Sequence, residues 1–260
     1  MEIMTNLNQT FNSLKGNFNR DLIENLLIDQ NVLNVYIFGS QVYGTANAAS
    51  DVDIIVVAKD HFDSKDINVH VYTVETFQML IDRHDIQALE CLYSNERYKL
   101  IELHTFELPV IDKAKLRVAI STIASNSWVK GKKKLTVAGD YDLKLAIKSI
   151  FHSIRILEYG YQIATASKIY DYERMNWVLN DLYKLAETLQ REALWNAIDT
   201  KYRMLYNNKS SVFKKYAPKD LEANKQDDIN DKRKQIEALL KEYGVESDYL
   251  TSSILNIFNN

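Results

Sequence analysis

The pattern of hydrophobic and polar positions in the first 110 residues predicts one helix, three strands and a second helical stretch. Residues 18 to 30 place leucine and isoleucine on one helical face. The apolar, β-rich runs VLNVYIFG and DVDIIVVA are typical of strands buried in a sheet. INVHVYTV alternates as a half-buried strand does, and VETFQMLIDRHDIQALECLYS is helical. This part therefore predicts a small α/β unit.

The pattern after Lys113 is helical. Four stretches have the period of amphipathic helices: KLRVAISTIASNSWVKGKKKL, YDLKLAIKSIFHSIRILEYGYQIA, YERMNWVLNDLYKLAETLQREALWNAIDTKYRMLYN and DKRKQIEALLKEY. YAPKDLEANKQDD predicts a loop, and the terminal NIFNN is expected to fray. We therefore expect an α+β protein, with a small mixed-sheet core in residues 1–112 followed by a helical domain in residues 113–260.

Composition narrows the class of protein. The 260 residues are 46% hydrophobic and 26% charged, as in ordinary soluble proteins. The net charge of −3 gives no overall attraction to nucleic acid or anionic membranes, so any such site must be a local patch. The only cysteine, Cys91, excludes an internal disulfide. Without a secretory signal pattern or a long apolar run, the sequence predicts a cytoplasmic protein with no membrane segment.

The stretch FGSQVYGTANAASDVDIIVV carries the candidate chemistry. Asp51 and Asp53 lie two residues apart at a strand start, so both carboxylates leave one side of the sheet. Such a pair favours a bound cation, and Mg²⁺ accepts a few carboxylates together with phosphate oxygens. Gly39 and Ser40 end the preceding strand, where their N–H groups and hydroxyl could hold a triphosphate. Either motif alone commonly caps a loop, but together they indicate metal-dependent nucleotidyl transfer.

This Gly-Ser followed by Asp-x-Asp resembles the signature of the DNA polymerase beta-type nucleotidyltransferase superfamily. Tyr43-Gly44 and the later VYTVETFQMLIDRHDIQALECLYS are similar to the RNA-repair-associated nucleotidyltransferases of this type in bacteria and phages. The resemblance spans about residues 35 to 172. It implies a mixed-sheet nucleotidyltransferase core, Mg²⁺ or Mn²⁺ as cofactor and an NTP as donor.

The third acidic residue that this superfamily usually carries on a later strand is not evident. On DINVHVYTV the corresponding face shows Asp66, Asn68, His70 and Tyr72, and Asn68 takes the position expected to be acidic. Asp66 lies two residues before Asn68 and would face the same side of the strand. It is therefore the candidate third catalytic residue if the strand starts early. Without a carboxylate there, the protein would use one metal, or bind nucleotide without turnover.

A polar stripe without carboxylates runs along the predicted helix that begins near residue 141. It consists of Tyr141, Lys144, Lys148, His152, Arg155, Tyr159 and Gln162. Cations in one line suit a triphosphate or a nucleic acid. Lys148, His152 and Arg155 match the Lys-x-x-x-His-x-x-Arg pattern of the resembled family, so we predict that they bind the NTP. The alternative is that they pair with acids of the first domain, such as Glu90.

A lysine cluster completes the candidate set. Lys130, Lys132, Lys133 and Lys134 follow Trp128, either as a solvated surface or as a track for an acceptor RNA. We thus expect transfer of an NMP from an NTP to a hydroxyl, with a tRNA or other RNA 3′ end as first candidate. A protein or small-molecule acceptor is the alternative that the acidic net charge favours, and a nucleotide- or RNA-binding module without catalysis is the one suggested by Asn68.

Overall fold

The structure is a computed structural model that describes residues 11–219. The strands are β1 (Val32–Phe38), β2 (Asp53–Ala58), β3 (Val69–Thr73) and β4 (Lys99–Glu102). The helices are α1 (Arg20–Ile28), α2 (Val74–Asp82), α3 (Ile86–Tyr93), α4 (Lys113–Thr136), α5 (Leu143–Ala166), α6 (Asn176–Thr188) and α7 (Arg191–Tyr216). The predicted helix DKRKQIEALLKEY, most of the predicted loop before it and the terminal NIFNN lie outside the described residues.

The sheet is mixed, with strand order β3-β2-β1-β4. β1 pairs antiparallel with β2 and β4, and β2 pairs parallel with β3. The expected α+β class is confirmed, because the described strands all precede α4 and the described chain after it is helical. Strand β4 was missed because it is only four residues long and buries Leu100 alone, which leaves too short an alternation to detect.

Two predicted helical stretches are each divided in the structure. The stretch after β3 forms α2 and α3, which are separated at His84 in the left-handed conformation (φ 60°). The His84 Nε2 atom accepts a hydrogen bond of 2.9 Å from the backbone N–H of Asp112, the residue that caps α4. The long stretch near the end forms α6 and α7, which are separated at Leu189 and Gln190. The hydrogen bond between Asp112 and His84 holds the residue that caps α4, and so fixes where α4 begins.

The helices α4 and α5 lie in close contact with each other and with the sheet. A Cβ atom on Gly131 of α4 would lie 2.5 Å from Cγ1 of Ile150 on α5, so the glycine permits this approach. One buried cluster contains sheet residues together with Leu116 of α4 and Ile156 of α5. The packing places α5 beside the sheet, while the division into domains at residue 112 stays a prediction.

Candidate active site

Gly39 forms a sharp turn at the end of β1. Its φ of +74° lies in the left-handed region, which glycine adopts most easily. A Cβ atom at this position would lie 2.4 Å from the Oδ2 atom of Asp53. Any other residue would therefore strain the turn and displace the carboxylate. The turn continues as a short 3-10 helix over Gly39–Gln41, so half-buried Ser40 lies next to Asp53 in the same cleft.

The two carboxylates start β2 at the edge of the cleft. Asp53 pairs with Phe38 of β1 and is half-buried, whereas Asp51 is exposed. Neither carboxylate has a hydrogen bond or ion pair within residues 11–219. Burial raises the pKa of Asp53, and repulsion from Asp51 raises it further, although His70 and Lys148 act in the opposite direction. A cation between the two carboxylates would relieve both costs.

Helix α5 supplies the opposite wall of the cleft, which encloses about 320 Å³. The charged and polar residues that line this wall are Lys144, Lys148, His152 and Arg155. Lys144 and Lys148 have no hydrogen bond or ion pair in the described chain, and the field of Lys148 reaches Asp53. The predicted stripe therefore faces the carboxylates over these positions.

The far end of the stripe has another use. Tyr159 donates from its hydroxyl to the carbonyl oxygen of Tyr172 at 2.7 Å. Gln162 binds the backbone of Tyr170 and Asp171, and its amide donates to the Asp171 carbonyl oxygen at 3.0 Å. These hydrogen bonds hold the segment that follows α5, so Tyr159 and Gln162 do not line the cleft.

Arg155 is both a cleft residue and a buried one. Only 5% of it is exposed, and its guanidinium carbon lies 3.4 Å from the centre of the Tyr43 ring. The Tyr43 hydroxyl donates to Glu90 Oε2 at 2.5 Å. The sequence left two roles open for Arg155, facing a ligand or interacting with an acid of the first domain. Arg155 has both positions, because it lines the cleft and its charge also acts on Glu90.

The surroundings of Tyr43 contain three polar atoms with no hydrogen-bond partner in the described residues. They are Glu90 Oε1, Arg155 Nε and Asn176 Oδ1. Burial raises the pKa of Glu90 to about 7, although Arg155 and the hydrogen bond from Tyr43 both lower it. Buried polar atoms without partners are costly, so this cluster has unused capacity to bind a ligand or a water molecule.

His152 is neutral at physiological pH. Burial, with the positive fields of Arg155 and Lys130, lowers its pKa to about 3. Its Nδ1 atom lies 2.8 Å from Nη2 of Arg155, which can only donate, so Nδ1 accepts and the proton is assigned to Nε2. His152 can therefore offer one neutral N–H donor to a ligand, while the positive charge of this wall comes from its neighbours.

Asp66 does not enter the cleft. Strand β3 begins only at Val69, because the Asp66 carboxylate accepts from the Asn68 N–H at 2.9 Å and its carbonyl accepts from the Val69 N–H at 3.1 Å. This turn holds Asp66 in a separate surface pocket that Leu22 also lines. The early strand start that would have brought Asp66 close to Asp51 and Asp53 is absent.

His70 is the side chain of β3 whose field acts on Asp53. It pairs in register with Ile55, two residues after Asp53, and therefore lies on the same face of the sheet. Its ring contacts that of Phe38, with 5.8 Å between the centroids. After burial, the field of His70 is the largest influence on the pKa of Asp53. The sequence pattern placed His70 on this face but gave it no role.

The lysine cluster on α4 does not act as one patch. Lys130 is exposed and close enough to lower the pKa of His152. Lys132 lies over the Trp195 ring at 5.7 Å, while Lys133 and Lys134 both pair with Asp140. Successive helical residues point about 100° apart, so a run of lysines is divided among several faces.

Several cleft residues had not been identified from the sequence as candidates for the site. They are Thr45, Asn47, Ala49, Ser50, Phe151, Leu179 and Tyr183. The loop residues between Gly44 and Asp51 could have been inferred, since that loop joins the two motifs. Leu179 and Tyr183 gave no signal, because in the sequence they look like ordinary packing positions of an amphipathic helix.

The donor set fits one magnesium ion. Asp51 and Asp53 offer carboxylate oxygens, which Mg²⁺ prefers, and substrate phosphates would supply others. The described residues contain no group of three or more histidine, cysteine, aspartate or glutamate side chains suited to a metal ion.

The described residues also contain no helix with both the length and the hydropathy needed to cross a bilayer.

Comparison with known proteins finds one family model that matches part of the chain. Residues 20–134 match the family model described as a nucleotidyltransferase domain, a range that holds the whole sheet and nearly all of α4. A nucleotidyltransferase-like protein from Exiguobacterium sibiricum 255-15 is similar at 13% identity and a TM-score of 0.31, over 75% of this chain and 74% of that chain. No curated protein matches the chain. Residues 20–134, somewhat less than half of the chain, are therefore similar to a nucleotidyltransferase domain.

Proposed function

We propose that the protein transfers an NMP from an NTP to an acceptor hydroxyl in an Mg²⁺-dependent reaction, with an RNA 3′ end as the acceptor. The observation that carries this proposal is the pair Asp51 and Asp53, which share a cleft with the cations Lys144 and Lys148, none of the four side chains having a partner among residues 11–219. Opposite charges that remain unpaired within one cleft suit a ligand that carries both metal and phosphate.

Asp51 and Asp53 would hold the metal. Mg²⁺ or Mn²⁺ bound there would neutralise phosphate charge and favour ionisation of the acceptor hydroxyl. The raised pKa of Asp53 supports this role, because a carboxylate that is costly to ionise alone gains most from a cation.

Gly39, Ser40, Lys148, His152 and Arg155 would hold the triphosphate. Gly39 lets the turn approach Asp53, and Ser40 offers a hydroxyl without a described partner. Lys148 supplies charge, His152 an N–H donor and Arg155 an unpartnered buried Nε. Cations on this wall would stabilise the negative charge that the metal leaves on the phosphates.

The reaction would be an in-line displacement at the α-phosphorus. The acceptor oxygen forms the new bond to phosphorus, and the bond to pyrophosphate breaks. Among the described residues, Asp51 and Asp53 are the only carboxylates that line the cleft, so Asp66 has no place in this step. The acceptor proton would therefore pass to one of these carboxylates or to water.

An exposed lysine of α4 close to the cleft supports an RNA acceptor. Lys130 is exposed on α4 and its field reaches His152 in the cleft wall, so a nucleic-acid backbone near Lys130 would lie close to the site. Lys132 and Lys133 were expected to bind the acceptor as well, but they lie on other faces of the same helix, where Lys132 contacts the Trp195 ring and Lys133 pairs with Asp140, so Lys130 alone supports this contact. The resemblance to RNA-repair-associated nucleotidyltransferases supports the same acceptor.

Transfer from α-³²P-labelled NTPs tests the proposal. Each NTP is offered with Mg²⁺ and RNA, with a protein mixture, or with no acceptor. Label on the RNA 3′ end, lost in Asp51→Asn with Asp53→Asn, is the expected result. Label on protein instead would favour the alternative acceptor, and NTP binding without any transfer would indicate a binding module.

A further inference from the structure

The cleft has an apolar part that the proposed chemistry does not use. It is formed by Phe151 of α5 and by Leu179 and Tyr183 of α6. Leu179 and Tyr183 lie four residues apart and therefore side by side on one helical face. Phe151 and Leu179 are 3% and 9% exposed, whereas Tyr183 is 37% exposed, so the tyrosine ring is the open surface of this part.

Tyr183 presents a neutral ring without a fixed partner. Within the described residues it has no hydrogen bond, ion pair or ring contact. Burial raises the pKa of its hydroxyl, so the phenol stays uncharged near neutral pH. No acidic residue of α5 or α6 lines the cleft. An aromatic face of this kind suits a flat, uncharged group.

We propose that Phe151, Leu179 and Tyr183 form the nucleobase subsite of the NTP, with the base stacked on the Tyr183 ring. This inference rests on the proposed function, because it places the second half of the same substrate. A nucleoside triphosphate joins an anionic chain to a planar base. The cleft lining offers both kinds of surface, with carboxylates and lysines for the phosphates and aromatic and aliphatic side chains for the base.

The subsite would bind chiefly by stacking. Every base has a π-face, and stacking on an aromatic side chain contributes to affinity with little dependence on base identity. The subsite surface consists of carbon apart from the Tyr183 hydroxyl, so it offers at most one hydrogen bond to the base edge. The ring, more than the hydroxyl, is therefore expected to determine affinity.

Equilibrium binding of the four NTPs and of inorganic triphosphate, with Mg²⁺ and no acceptor, tests the subsite. Tyr183→Ala removes the ring and Tyr183→Phe removes only the hydroxyl. Trp177→Ala is the matched control, because Trp177 is an exposed aromatic residue of the same helix that does not line the cleft. We expect Tyr183→Ala to weaken NTP binding about tenfold and to leave inorganic triphosphate unchanged.

The expected pattern includes NTP affinity close to wild type in Tyr183→Phe and Trp177→Ala. Unchanged NTP affinity in Tyr183→Ala would overturn the subsite, and so would an equal loss for NTPs and inorganic triphosphate. A wild-type protein that binds triphosphate as tightly as NTPs would also overturn it, while leaving the phosphate site in place. A wild-type protein that binds neither would instead contradict the proposed function itself.

Discussion

The guanidinium of Arg155 lies on the Tyr43 ring, 3.4 Å from its centre, and Tyr43 in turn donates its hydroxyl to buried Glu90. Tyr43 thus contacts both a cleft cation and a buried acid, although Arg155 and Glu90 form no direct ion pair in the described residues. Since Tyr43 belongs to the loop after Gly39, this contact also fixes the loop against α5. Arg155 therefore has a structural role as well as a role in the cleft.

Replacing Arg155 should affect binding and stability together. Arg155→Ala is expected to weaken NTP binding about tenfold or more and to lower the free energy of unfolding by about 3 kcal/mol, because it removes a buried side chain that packs on the Tyr43 ring. Isothermal titration and thermal melting measure the two effects. Lys148→Ala is the control, since Lys148 is exposed and should lose affinity without losing stability. Equal melting temperatures for Arg155→Ala and wild type would contradict the structural role.

Metal binding should depend on the two cleft carboxylates. Mg²⁺ or Mn²⁺ should raise the melting temperature, more so with NTP, because the ligand binds only the folded state. Asp51→Asn with Asp53→Asn should abolish this rise. Asp66→Asn is the matched control, as it removes a carboxylate that lies outside the cleft and should retain the full response. A retained response in the double variant would place the metal elsewhere.

A third carboxylate beside Asp53 should strengthen metal binding. His70→Asp would place an acid on the same sheet face as Asp53, where the extra oxygen ligands suit Mg²⁺. We expect a larger Mg²⁺-induced rise in melting temperature than in wild type, and a lower melting temperature without metal because like charges repel. His70→Asn controls for loss of the imidazole. An Mg²⁺ response no larger than that of His70→Asn would show that position 70 does not reach the ion.

Glu90 should make stability fall with rising pH. Its pKa is raised by burial to about 7 in the folded protein, above the ordinary 4.5, so between these values the folded state holds a proton that the unfolded state has lost. The stability that protonated Glu90 contributes is therefore complete below the pKa of the unfolded state, and it is lost as the pH rises through the pKa of the folded state. Glu90→Gln should remove this part of the dependence.

Chemical denaturation of wild type and Glu90→Gln measures the Glu90 effect. Between about pH 5 and about pH 8 the difference in unfolding free energy should change by at most about 3 kcal/mol, with the variant gaining relative to wild type at the higher pH. A constant difference across that range would show that Glu90 is ionised throughout.

The parts of the site that depend on local sequence were predictable. Gly39, Asp51 and Asp53 lie within one short stretch of sequence. The alternation of side chains along a strand is enough to predict that the two carboxylates leave the same side of the sheet. Lys148 and Arg155 were predicted from helical spacing along α5, and both line the cleft wall. Their positions require only that the helix packs beside the sheet.

The parts that depend on tertiary packing were not predictable. Burial of Arg155 requires the contact with Tyr43, and the contribution of Tyr183 requires α6 to lie against the cleft. The start of β3 depended on the Asp66 turn, in which a side chain caps a backbone N–H that the strand would otherwise use. Alternation alone does not reveal such competition, and so the pattern could not settle the role of Asp66.

The hydrogen bond from Asp112 to His84 has a consequence for the connector that precedes α4. The connector is held at its start by the His104 N–H, which donates to Asn34 at 2.8 Å, and at its end by His84. Between these anchors Glu107, Leu108 and Val110 are exposed. Because both ends are fixed independently of the chain between them, residues 107–110 should accept an inserted epitope tag or a small reporter domain without displacing α4.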